Sequence, residues 1–298
     1  MKRILFAVTA LFLVNSVYSQ PLEVSAVKIG NRIDVNIMDE IFTSYRCYPD
    51  EKHPFFFPVN GPVSGSSLTS MRNKLYPHHS SMFFGCDMVN GGNYWHEGFE
   101  RGRIISLGAR IIEAGGSKVV IEDECIWKRP DADAPIIDRR KITVSAPSKD
   151  LYQLDFDIEL EMLTDVTIKK TNHSLFTIRF ISDLAVAQGG TMFNAEGKKN
   201  QEETNGVVSP WMDYYGTLKT GTEGIALLQH PSNTWYPEPW LTRDYGLFSP
   251  ATLQYPKDDK ETVLKKGEKV KFRYRILVHG GTTEQAGISK CFEQYKNE

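Results

Sequence analysis

Leu154-Asp155-Phe156-Asp157-Ile158-Glu159-Leu160-Glu161-Met162 alternates apolar and acidic residues without a break, and Val270-Lys271-Phe272-Arg273-Tyr274-Arg275-Ile276 alternates apolar and basic ones. A period of two sends successive side chains to opposite faces, so each stretch reads as a strand with one buried and one solvated side. Ile33, Val35 and Ile37 repeat the pattern near the start. The polar face of the first strand is wholly acidic and that of the second is basic. If the two are neighbours, each opposed pair contributes roughly 0.2–1 kcal/mol and fixes the register; two solvated faces that never meet are the alternative.

Between residues 104 and 127 two apolar runs flank Ala114-Gly115-Gly116-Ser117, whose glycines suit the positive φ of a tight hairpin. Short strands recur along the chain with Gly, Asn and Pro punctuation, and no fixed-period repeat, low-complexity tract or linker divides them. Parallel sheets need helical crossovers that this pattern lacks. One all-β antiparallel sandwich domain is therefore predicted over residues 20–298. The exception is residues 286–295, which read as a short C-terminal helix capped by Thr283.

The 298 residues carry 35 Lys+Arg against 37 Asp+Glu, with 41% hydrophobic residues, a soluble globular balance without the basic footprint of a nucleic-acid binder. Lys2 and Arg3 precede an apolar run over 4–14, and Val17 and Ser19 stand at the −3 and −1 positions of a cleavage site. Residues 1–19 thus read as a signal peptide, which places the mature chain in the periplasm or outside the cell. No later stretch has the length of a membrane span. Cys47, Cys86, Cys125 and Cys291 form no C-x-x-C pair, which disfavours a thiolate metal site; one disulfide and none remain open.

Three stretches carry chemistry. Residues 76–97 hold His78, His79 and His96, three of the seven histidines, with Asp87, Asn90 and Trp95. Imidazole exchanges protons near neutral pH, and an indole face stacks on a sugar ring. Adjacent strand residues face opposite ways, so His78 and His79 share a site only if the backbone turns. His173 opens an apolar strand that ends at Arg179. Residues 224–249 run from an apolar strand through His230 into a loop with Trp235, Tyr236 and Trp240, then to Arg243, Asp244 and Tyr245. A weaker cluster contains Asn194, Glu196, Trp211, Asp213 and Tyr214. Phosphate-loop, dinucleotide-binding and nucleophile-elbow signatures are missing, and no cofactor is expected.

Thr171-Asn172-His173-Ser174-Leu175-Phe176 is similar to the Thr-Asn-His-Ser-Tyr-Phe stretch of the aldose 1-epimerases (galactose mutarotases), with five of six positions identical. In that family the histidine protonates the sugar ring oxygen, so the resemblance implies His173 as a general acid. The family's base is a glutamate on a Leu-Glu-x-Gln strand. The comparable strand here, Ile225-Ala226-Leu227-Leu228-Gln229-His230, holds no carboxylate.

Tyr76-Pro77-His78-His79, His173 to Phe176 with Arg179, Gly189-Gly190 with Asn194, Trp211 to Tyr214, His230-Pro231 with Asn233, and Arg243 to Phe248 also resemble, in order, an exported bacterial family labelled PmoA or methane oxygenase. A membrane oxygenase subunit needs several transmembrane helices, so that label conflicts with this sequence. The link to the mutarotase superfamily implies a β-supersandwich of galactose mutarotase-like type with a sugar-sized cleft on one sheet.

The resulting expectation is a secreted carbohydrate-active enzyme of glycan degradation, an epimerase, lyase or glycoside hydrolase acting on a mono- or oligosaccharide. His173 is its acid, His79 or His230 the partner, and Asp213 or Asp244 the orienting carboxylate or base. His78, Arg179, Asn194, Trp211, Trp240, Arg243 and Tyr245 would bind substrate. Two alternatives stand: a carbohydrate-binding protein without turnover, and a metal site built from His78, His96 and His230 with an aspartate, although no metal-ligand spacing is present and the leading reading has no metal.

Overall fold

The computed structural model describes residues 21–96 and 98–298; the signal-peptide reading of residues 1–19 lies outside them. The strands Leu151–Met162 and Lys269–Gly280 are antiparallel neighbours, with Leu154 opposite Ile276, Phe156 opposite Tyr274, Ile158 opposite Phe272 and Leu160 opposite Val270 on the buried face. On the other face Asp155 meets Arg275, Asp157 meets Arg273, Glu159 meets Lys271 and Glu161 meets Lys269. The pairs close at 2.6 Å for Asp155–Arg275, 3.0 Å for Asp157–Arg273 and 3.2 Å for Glu159–Lys271. Arg139, on the next strand, Ile136–Ser148, carries the alternation on by pairing with both Glu161 and Glu124. The acidic and basic faces therefore do meet. A slip of one residue would expose the core residues and bury the charges, so hydrophobic and ionic patterns select one register.

These strands lie at the centre of a nine-stranded antiparallel sheet among the described residues, which runs from Thr191–Asn194 at one edge to Arg103–Ser106 at the other. A second nine-stranded antiparallel sheet runs from Gly115–Gly116 through Val24–Ile29 to Leu247–Pro250 and Trp240–Arg243. A main core containing Val35, Phe84, Phe156, Phe176, Ile225 and Phe272 fills the space between them. The expected antiparallel β-sandwich with a short terminal helix is what the chain forms.

The glycine hairpin does more than reverse the chain. Arg110–Glu113 pairs with Lys118–Lys128 in one sheet, while Gly115 and Gly116 pair with Ser25 and Val24 in the other. A Cβ on Gly115 would stand 2.9 Å from the Val24 carbonyl oxygen, and Gly116 has φ +93°, so both positions exclude ordinary side chains. The helix is Ile288–Tyr295, two residues shorter than expected, with Gly287 at its start in the left-handed region. Thr283 does not cap it; its hydroxyl donates to Asp213 at 2.7 Å. Ile288, Phe292 and Tyr295 pack on Trp211, Leu228 and Leu277. All four cysteines carry free thiols.

Two carboxylates buried in the sandwich, Asp138 and Asp123, are hydrogen-bonded where they lie. Arg140 donates to Asp138 through Nε at 2.6 Å and Nη2 at 3.0 Å, and the Trp127 indole donates to the same carboxylate at 2.7 Å. Tyr45, from the opposite sheet, donates to Asp123 at 2.8 Å. Asp138→Ala would leave the Arg140 guanidinium buried and uncompensated, and is expected to cost about 3–5 kcal/mol in urea unfolding. Lys271→Ala, on the exposed ladder, should cost less than about 1 kcal/mol in the same measurement.

Candidate functional site

Met82–Cys86 and Ser174–Arg179 are paired in antiparallel register with Cys86 opposite Ser174, so the next residues out, Asp87 and His173, also face each other. The Asp87 amide donates to the His173 carbonyl at 3.0 Å. Their side chains meet as well, with His173 Nδ1 3.2 Å from Asp87 Oδ2. The Thr171 hydroxyl donates to the other carboxylate oxygen and accepts the His173 amide at 3.0 Å. Asp87 is buried and His173 half-buried. Leu175, two residues on, has φ +65°, a conformation that costs a non-glycine residue about 1–3 kcal/mol and tends to collect at functional sites.

His96 reaches the same place from a loop. Asn93 Oδ1 accepts the amides of Trp95 at 3.0 Å and His96 at 2.9 Å, which orients the Asn93 amide so that Nδ2 donates to His96 Nδ1 at 3.0 Å. The His96 and His173 rings lie 4.4 Å apart, and His78 lies 5.1 Å from His96 and 6.1 Å from His173. The Trp95 indole backs His173 at 5.8 Å. His79 touches His78 edge-on at 4.4 Å but stacks inward on Tyr76. Burial, with the neighbouring imidazoles, lowers His78 to about 4 and His79 to about 3, so both are neutral at pH 7.

A cleft of about 480 Å³ opens beside Asp87, His96 and His173, with Asn93, Arg101 and Lys170 in its wall. His96 also borders a second cavity of about 340 Å³ that holds His78 and Trp95. These volumes lie in the range of small-ligand sites. A larger groove of about 880 Å³ lies over the ion ladder of the other sheet. Its acids and bases already pair with one another, as in Asp157–Arg273, Glu159–Lys271 and Glu124–Arg139, so the cleft beside His173 is the stronger chemical candidate.

Tyr245, also singled out by sequence, stacks on Tyr76 at 4.5 Å, and Tyr76 in turn stacks on His79. Arg179 is buried, donates to the carbonyls of Tyr245 and Gly246, and spans the two tyrosine rings, so it braces a turn rather than clamping a ligand. His230 bonds Ser232 at 2.7 Å and Arg273 at 3.0 Å in the other sheet. Asp213 is fully buried against His279 at 3.0 Å and Thr283. Asp244 accepts the Gln201 amide at 2.8 Å, Asn194 closes a turn by accepting the amides of Glu196 and Lys198, and Arg243 donates to Asn205. Trp211 belongs to the packing surface of the terminal helix, and Trp240 is buried with its indole donating to Ser209. The ring faces of both tryptophans are used by packing, not offered to a cleft. Asn93, Arg101 and Lys170 escaped the sequence reading because an isolated polar loop residue has no periodicity to mark it.

An antiparallel two-sheet sandwich with an imidazole-lined cleft at strand ends is the class of protein this geometry defines. Residues 32–293 match a family of unknown function, DUF6807, and the chain belongs to that family. No curated protein matches the sequence. Among solved structures it is similar to a candidate aldose 1-epimerase of Klebsiella pneumoniae, with TM-score 0.47 and 8% identity over 92% of this chain and 87% of that one. A candidate aldose 1-epimerase of Escherichia coli K12 gives 0.39 and 9% over 87% and 99%, and a GH36 α-galactosidase of Geobacillus stearothermophilus gives 0.38 and 9% over 86% and 41%. At these scores the likeness assigns neither activity nor substrate.

The 231–239 loop beside Trp240 supplies a pH test of its packing. Glu238 is fully buried, accepting the hydroxyls of Tyr274 at 2.8 Å and Thr252 at 2.9 Å, and burial pushes its carboxyl up to about 7. A carboxyl raised in the native state favours folding fully below its ordinary value of 4.5, and that contribution is lost as the pH rises to about 7. Urea unfolding at about pH 5 and about pH 8 should show a smaller loss of stability for Glu238→Gln than for the wild type.

Proposed function

We propose that this protein is an exported carbohydrate-active enzyme that transfers a proton at a sugar ring or glycosidic bond, with His173 as the proton carrier. The observation that carries the reading is the Asp87–His173 hydrogen bond beside a cleft of monosaccharide scale. A carboxylate at Nδ1 holds the proton on that nitrogen and leaves Nε2 as an acceptor in the neutral ring. His96 is set the other way. The Asn93 amide donates to its Nδ1, so the neutral ring carries its proton on Nε2. One imidazole poised to accept and one poised to donate make an acid–base pair. His96 thus takes the partner role that the sequence offered to His79 or His230.

The similarity of residues 171–176 to the mutarotase motif supports a sugar as the substrate, and the order of motifs shared with the PmoA-labelled exported family, together with the leader-like residues 1–19, supports export and glycan degradation. Epimerisation, elimination and hydrolysis all use such a pair.

A binding protein without turnover is the second reading, because Asp87 is the single carboxylate lining the cleft among the described residues and it is already engaged by Thr171 and His173. Incubation with a panel of mono- and oligosaccharides, followed by mass spectrometry and by NMR of the anomeric protons, separates the two. On the enzyme reading, His173→Ala lowers turnover about 10²–10⁴-fold and Asp87→Asn lowers it with it. Full activity in His173→Ala removes the assignment, and saturable glycan binding with no product establishes the second reading.

A further inference from the structure

Asp87, His96 and His173 offer one carboxylate oxygen and two imidazole nitrogens that lie within 4.8 Å of one another. We propose that these three side chains form a binding site for a divalent first-row transition-metal ion. The inference goes beyond the carbohydrate reading and does not rest on it.

The ligand set is the first argument. Two imidazoles and a carboxylate suit zinc, cobalt, iron or manganese, whereas calcium and magnesium take oxygen-only shells. The spacing is the second. With ligand bonds of about 2.0–2.1 Å, neighbouring ligand atoms of a tetrahedral site lie about 3.4 Å apart. The edge between Asp87 Oδ2 and His173 Nδ1 is 3.2 Å, so one side of the tetrahedron stands ready. The His96 nitrogen completes the group, with all three ligand atoms within 4.8 Å of one another.

The surroundings of the three side chains also suit an ion. His78 adds another imidazole within 5.1 Å of His96 and 6.1 Å of His173. The Thr171 hydroxyl holds the second oxygen of Asp87, the outer bond that commonly orients a ligating carboxylate. The three ligands also line the 480 Å³ cleft, which gives an ion a path in and leaves a coordination position open to water or a sugar hydroxyl. Three protein ligands with an open position is the pattern of catalytic rather than structural zinc. The proton between Asp87 and His173 and the ion are then alternative occupants of the same pair of atoms.

Full-length protein stripped with chelator and dialysed is titrated with Zn²⁺ by calorimetry, and with Co²⁺ while optical and paramagnetic NMR spectra are recorded. The expected result is one ion per chain, Co²⁺ bands of nitrogen and oxygen coordination without a thiolate charge-transfer band, and strongly shifted ring protons for His96 and His173 but not for His230 or His279. His96→Gln and Asp87→Asn should each weaken Zn²⁺ binding at least about tenfold, with Cys291→Ser unchanged. The wild-type NMR arm keeps the test decisive if a variant fails to fold. No saturable Zn²⁺ binding, a thiolate band, or paramagnetic shifts centred on His230 would overturn the proposal. Sugar turnover enters none of these readouts, so failure of the carbohydrate reading would leave this result standing, and the reverse holds too.

Discussion

The pairing of Cys86 with Ser174 is the constraint on which the site depends, because it decides where the chain leaves two neighbouring strands of the sandwich. Antiparallel strands bring directly opposed residues within about 4.5–5.5 Å, and the first residue beyond each strand inherits that separation. Asp87 and His173, 86 positions apart in the chain, are brought together in this way. Thr171 then completes the carboxylate's shell, and Leu175 takes up the backbone distortion where the strand begins. A slip of one residue in either strand would turn that strand's side chain to the other face and part the pair.

The rigidity of that pair comes from the rest of the sandwich. The ion ladder of Leu151–Met162 and Lys269–Gly280 adds little stability rung by rung, yet a one-residue slip would break all four opposed acid–base pairs and turn one strand's charges toward the core. Bonds between the sheets hold them to one relative position. Tyr45 reaches Asp123, Glu223 accepts the amides of Val63 and Ser64, and Tyr214 donates to the Asp244 carbonyl. Each of these groups is costly to bury alone and is hydrogen-bonded where it lies. Burial and the neighbouring imidazoles keep His78 and His79 neutral within this framework, so neither adds a positive charge to the cluster.

Several polar residues that looked like site residues in the sequence serve this framework instead. Asp213 joins Thr283 and His279 beneath the terminal helix, and Arg179 props the turn at Tyr245 and Gly246. Trp240 fills the core. An aromatic or charged residue next to a motif carries the same letter whether it points into a cleft or away from one. Direction depends on strand phase and on which loop covers which face. His173 and the 76–97 stretch stood out for a better reason, since histidine is scarce here and three of seven fall within one short segment.

Strand-forming alternation, the charge complementarity of two distant segments, the glycine hairpin and the helical tail were all determined by the sequence alone, because each follows from local periodicity or from the conformations a residue type permits. The gathering of His78, His96, His173 and Asp87, and the exclusion of His230 and Asp213 from it, were decided only by tertiary structure. Side chains from separate segments meet according to strand order and sheet packing, and a linear pattern holds no record of which strand lies beside which.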